Sequence, residues 1–163
     1  MIRTKKSFTL KKPLEFLVKA HVWADEFKYF CSLRPSNTPY PNGTFPQILA
    51  AGAETVIIDT PGKNFDILSS YIESENDWLF GHFSYDLKNE IENLNSKNED
   101  RVTWPNMTFF QPSHIIKIDE DKLTIESTHD PTIIYQQIIH TQVVNYDQPN
   151  INVECDTTRD QYL

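Results

Sequence analysis

Apolar and polar positions alternate through IRTKKSFTL, the two-residue period of a strand, and the period then lengthens. From Pro13 the segment PLEFLVKAHVWADEFK places Phe16, Ala20, Trp23, Ala24 and Phe27 at helical spacing. That predicts an amphipathic helix with a broad buried face, opened by a proline where a first turn tolerates one. His21 lies on or beside the stripe and reads as a packed core histidine, because no second ligand type accompanies it. YFCSL reads as a strand. RPSNTPYPNGT, with its prolines and Asn42-Gly43, forbids regular structure.

FPQILAAGAETVIID predicts either two short strands meeting at Gly52 or one strand bulged there. TPGKN is a turn, and NFDILSSYIES reads as a helix capped by Asn64 that buries Phe65, Leu68 and Ile72. From Trp78 to Tyr85 bulky residues point both ways, which predicts a central strand covered on both faces. Gly81 within it implies a close approach by another part of the chain. Leu87, Ile91 and Leu94 then give a short one-faced helix with Asp86 near its positive end. NSKNEDR reads as a solvated loop. In MTFFQPSHIIKIDEDKLTIES a hairpin is expected, turning at Asp119-Glu120-Asp121, with Ile116, Ile118, Leu123 and Ile125 inward. Asp130-Pro131 is a cap-then-proline start for the helix DPTIIYQQIIHTQ. The tail is polar until TTRDQYL, which reads as a helix start; a first turn alone cannot stand, so the chain is expected to be a cut piece of a longer one.

Composition narrows what such an arrangement can do. At 163 residues one domain with a real core is expected. Ten Phe, seven Tyr and three Trp exclude wholesale disorder. A net charge of −8 speaks against nucleic acid, and the pairs Lys5-Lys6 and Lys11-Lys12 read as solvated edge charges. No apolar run has the length of a membrane span and the N-terminus lacks a signal-peptide core, so a cytoplasmic location is expected. Cys31 and Cys155 have no metal or redox spacing and read as idle thiols.

Candidate chemistry is sparse. There is no phosphate-cradling GxxxxGK[ST] or GxGxxG, no GxSxG elbow and no HExxH. The five histidines are scattered one per element, and Glu90 and Glu92 do not share a helix face. Asp119 and Asp121 sit in a solvated turn. No self-contained catalytic site is expected, and no cofactor in this segment.

GHFSYDLKNEIENL, followed by an acidic loop and WPNMTFFQPSHIIKID, resembles the N-terminal lobe of the chorismate-utilising enzymes. There a glycine-aromatic-glycine-Tyr-Asp-Leu segment precedes a short acidic helix, a loop, a turn and a long strand. YDLKNEIE looks most like component I of aminodeoxychorismate (para-aminobenzoate) synthase, with anthranilate synthase component I the near relative. The likeness runs from about YFCSL to the last residue and is most specific from Gly81 to Leu94. His82 and Ser84 depart from the pattern, standing where an aromatic or aliphatic residue and a glycine are more usual.

The resemblance implies an α+β fold: an antiparallel sheet lobe flanked by helices, half of a two-lobed β-sandwich. Residues 1–156 would be a non-catalytic N-terminal lobe and 157–163 the start of the chorismate-binding catalytic domain. The parent enzyme would aminate chorismate to 4-amino-4-deoxychorismate for folate synthesis, with Mg²⁺ and ammonia from a glutamine amidotransferase subunit. The implied partners are this catalytic domain and that subunit; nucleic acid and membrane are not expected. The Leu-Leu-Glu-Ser motif that holds feedback tryptophan in anthranilate synthases is missing, which favours the aminodeoxychorismate branch. The matching serine would be Ser32 or Ser36, with Tyr40 and Phe45 completing an effector pocket. In the motif Gly81, Tyr85, Asp86 and Leu87 would be structural, Tyr85 burying its ring and Asp86 capping backbone amides. The alternatives are a free-standing module that binds an aromatic amino acid, a domain serving only as an interaction surface, or the equivalent lobe of anthranilate synthase component I. An exposed hydrophobic patch is expected where the other half of the sandwich would sit.

Overall fold

A computed structural model describes residues 1–35, 45–92, 94 and 103–144. The elements run β1 (Thr4–Thr9), α1 (Pro13–Ala24), β2 (Phe30–Leu33), β3 (Gln47–Ala51), β4 (Thr55–Ile58), α2 (Asn64–Ser74), β5 (Phe80–Phe83), a 3₁₀ turn (Tyr85–Glu90), β6 (Met107–Gln111), β7 (His114–Asp119), β8 (Lys122–Ser127) and α3 (Pro131–His140). The fold is α+β with two sheets, one ordered β1-β8-β7-β3-β2 and the other β4-β6-β5. Every pairing is antiparallel.

Side-chain alternation assembles these elements into four layers. On one face of the larger sheet Leu49, Ile116, Leu123 and Ile125 meet Phe16, Ala20 and Trp23 of α1 and Ile134 and Ile138 of α3. On the other face Ile48, Ala50 and Ile115 meet Phe80 and Phe110 of the smaller sheet. The outer face of the smaller sheet offers Ile57 and Met107 to Leu68 of α2. Each large aliphatic or aromatic side chain enclosed this way contributes about 2 kcal/mol.

Two crossings join the sheets. The chain leaves β3 at Gly52, whose φ of +73° only glycine adopts without strain, and where a Cβ would lie 3.0 Å from the Ser113 hydroxyl. It returns from β6 to β7 through Pro112-Ser113. The crossings are tied by Glu54 N–H to the Gln111 carbonyl (2.9 Å) and Ser113 N–H to the Gly52 carbonyl (3.4 Å). Gly52 therefore separates two strands that belong to different sheets.

The amphipathic helix from Pro13 and the hairpin match expectation: Phe16, Ala20, Trp23 and Ala24 are buried, as are Ile116, Ile118, Leu123 and Ile125. Glu120 turns the hairpin with φ +54°. Asp130 caps α3 by accepting the Thr132 N–H at 2.8 Å.

Elsewhere the structure corrects the sequence reading. β5 is an edge strand of the three-stranded sheet, not a central one, and Trp78 and Phe83 are nearly half exposed. The strand buried along its full length is β3. Asn64 is not the cap of α2: Lys63 holds that position, and Asn64 is the first helical residue, fully buried. Phe65 and Ile72 are exposed, leaving Leu68 as the apolar side chain α2 buries in the core. The segment after β5 is a 3₁₀ turn that buries Leu87 while Ile91 and Leu94 are exposed.

Candidate functional site

Of the expected effector residues, Ser32 and Phe45 lie among the described residues. Ser32 points from β2 to the helical side of its sheet, where it joins His21 Nε2 at 2.8 Å and accepts the Gln47 amide at 3.1 Å. The Leu17 carbonyl, 2.8 Å from His21 Nδ1, can only accept, so the network assigns the ring proton to Nδ1. Nε2 of the neutral ring then accepts, and the Ser32 hydroxyl donates to it. Its donor and one lone pair are thus spent on tying α1, β2 and β3 together. His21 is a hydrogen-bonded structural histidine, as its place on the stripe suggested. Phe45, half exposed, precedes β3. Ser36 and Tyr40, like residues 157–163, lie outside the described residues.

The Gly81 motif departs from expectation at Tyr85 and Asp86. Gly81 faces Phe109 across the β5–β6 ladder, and a Cβ there would stand 2.1 Å from the Thr108 carbonyl oxygen and 2.6 Å from Phe109 Cα. The predicted close approach is real, and any side chain would push β5 off its neighbour. Tyr85 does not bury its ring: it is 84% exposed, with the Lys88 ammonium 4.1 Å from the ring centroid. Asp86 does not cap an amide; its carboxylate takes Lys88 at 2.8 Å. Leu87 alone of this turn enters the core.

A carboxylate from the same turn does the capping that Asn64 and Asp86 were expected to do. Glu90 accepts the Gly62 N–H (2.8 Å), the Asn64 N–H (3.3 Å) and the Asn64 side-chain amide (2.6 Å) at the positive end of α2. Asn64 also donates to Asp59 (2.6 Å) and accepts the Thr60 N–H (2.8 Å). Sequence showed the acidic residues but not the partner, which lies 28 residues away.

A second polar group sits where the chain crosses between the sheets. Arg3 pairs with Asp77, both nearly enclosed, and donates to the Pro112 carbonyl. Gln111 donates to Asp77 at 2.9 Å and accepts from Tyr71 at 3.0 Å. Burial is the largest influence on Asp77 and pushes its pKa up. Arg3, the Trp78 amide and Gln111 together outweigh it and hold the carboxyl below its usual range.

Beside this pair, His114 Nδ1 lies 2.9 Å from the Ser127 hydroxyl, which also accepts the His129 N–H at 2.9 Å. The His114 ring is walled by Trp23 at 5.4 Å and Phe27 at 5.6 Å, with His129 also 5.4 Å away. Enclosure first, then His129 and Arg3, push the His114 pKa down to about 4, with Glu54 opposing. Hydrogen bonds from the Ser113 and Thr128 hydroxyls hold the Glu54 carboxyl below its usual range.

A nucleophile or general base needs a lone pair or proton free to meet a substrate. Ser127 is fully enclosed, and Asp77 is saturated with donors. The chemistry this corner performs is cohesion: it ties together two strands where they leave their sheets, although Arg3 Nε is buried there without a hydrogen-bond partner. Sequence gave no signal for it, because Arg3 and Asp77 are 74 residues apart.

Among the described residues no group of three or more His, Cys, Asp or Glu side chains is arranged to hold a metal ion, and no helix is long and apolar enough to cross a membrane. No protein-family description matches the chain, and no curated protein matches it.

Proposed function

We propose that residues 1–156 are the N-terminal lobe of an aminodeoxychorismate synthase component I. The observation that carries this reading is the segment Gly81 to Leu94, whose Gly-His-Phe-Ser-Tyr-Asp-Leu run and acidic continuation resemble that family. Two antiparallel sheets flanked by helices are compatible with such a lobe. The backbone contact at Gly81 gives a physical reason for glycine at the first position of the motif.

In this reading the lobe is a scaffold. The groups that bind chorismate and Mg²⁺ belong to a catalytic region following it, and ammonia comes from a glutamine amidotransferase. Ser32, Ser36, Tyr40 and Phe45 are the proposed remnant of an effector pocket. Ser32 would have to exchange its bond to His21 for a ligand. The location proposed is the cytoplasm, where chorismate and glutamine are available.

The test is enzymatic. The coding sequence continued through the codons after Leu163 is expressed and supplied with chorismate, ammonium and Mg²⁺, and the products are identified by mass. 4-Amino-4-deoxychorismate is expected. Anthranilate would place the chain in the sister branch, and amination by residues 1–163 alone would overturn the assignment of turnover to another region.

A further inference from the structure

Charge is distributed unevenly along this chain. Residues 1–35 carry eight Lys and Arg against three Asp and Glu, whereas residues 54–92 carry nine Asp and Glu against two Lys. The acidic segment builds β4, α2, β5 and the 3₁₀ turn, so nine of the 23 carboxylates in the chain belong to a stretch that carries only two cations.

Part of the exposed apolar surface lies on those same elements. Phe65 of α2 stacks on Phe83 of β5 with ring centroids 6.0 Å apart, and both remain more than 40% exposed. Ile72 lies two turns further along α2 from Phe65, and Tyr85 and Ile91 stand out from the 3₁₀ turn. Asp66, Glu73 and Glu92 form no ion pair among the described residues. Glu90, Asp59 and Asp77 are already committed inside the fold. The result is an apolar centre of aromatic and branched side chains with an unpaired acidic rim, the composition of a protein-docking surface.

We propose that this face binds a protein partner whose contact surface has an apolar ridge flanked by Lys and Arg, such as a basic amphipathic helix. An apolar ridge would enclose Phe65, Phe83 and Ile72. Flanking cations would meet Asp66, Glu73 and Glu92, setting orientation and accelerating encounter. Like charge around the patch disfavours a second copy presenting the same face. The inference rests on exposure and charge, and stands whether or not the chain belongs to a chorismate enzyme.

The test uses the 163-residue chain, isotope-labelled, titrated with a synthetic amphipathic helix of leucine and lysine and with its leucine–glutamate counterpart. Amide shifts confined to Phe65–Ser74 and Phe83–Ile91 are expected with the basic helix only. Glu73→Lys with Glu92→Lys should weaken binding about tenfold or more, at unchanged Tm, and the same variant should gain affinity for the acidic helix. Shifts spread over the molecule, equal response to both helices, no saturable response, or self-association through this face in sedimentation would each overturn the proposal.

Discussion

Acidification should loosen the corner where the two sheets are joined, and His114 sets the size of the effect. Its folded pKa is about 4, against about 6.5 for an unfolded histidine. The folded value is the depressed one, so between those limits the unfolded chain binds the extra proton. Stability from neutral His114 is therefore fully present above about pH 6.5 and is lost as pH falls toward 4. Working the linkage from pH 7.5 to 5.0 gives a loss of about 2 kcal/mol from this group. In urea that is a midpoint lower by about 1 M for a chain of this size. Carboxylates such as Glu54 and Asp77 titrate further down and add little in this window. Urea unfolding followed by tryptophan fluorescence at the two pH values measures it, with His114→Gln as the control that cannot charge. The wild type should lose about 2 kcal/mol and the variant only a small fraction of that. Equal stability at both pH values, or an equal loss in the variant, would refute the assignment to a buried neutral histidine.

Gly81→Ala should cost about 3 kcal/mol or more, because the new Cβ meets the backbone of Thr108 and Phe109 rather than a movable side chain; thermal unfolding would show it. Glu90→Ala strips three donors of their acceptor, and the enclosed Asn64 amide should make the loss about 2 kcal/mol. Hydrogen exchange should then rise first at the start of α2. Asp130→Ala removes the α3 cap at a cost of about 1 kcal/mol, and Asp130→Asn should restore most of it.

Sequence was informative where one face of an element is buried and the other is wet. The Phe16 to Trp23 stripe, the Ile116 to Ile125 hairpin and the Asp130-Pro131 start each declare their period and their ends locally. It misled where burial depends on which element lies opposite. Trp78 to Phe83 has aromatic side chains on both faces, yet Phe80 goes to the other sheet and Phe83 to Phe65 and Phe109, at an edge. Asn64 had the right residue type for a cap, but a carboxylate from a distant turn took the helix end and drew the amide inward. The corner of Arg3, Asp77, Gln111 and His114 was invisible because its members share no local pattern. Gly81 is the intermediate case: its presence in a strand announced a close contact, without saying which backbone would make it.

Growth of a bacterial strain lacking its own aminodeoxychorismate synthase component I, and carrying the full coding sequence that contains this chain, tests the central claim most directly. Growth without para-aminobenzoate is expected, abolished by Gly81→Val and restored by added para-aminobenzoate but not by tryptophan. Failure of the intact sequence to support growth while it relieves a tryptophan requirement in an anthranilate synthase mutant would contradict it.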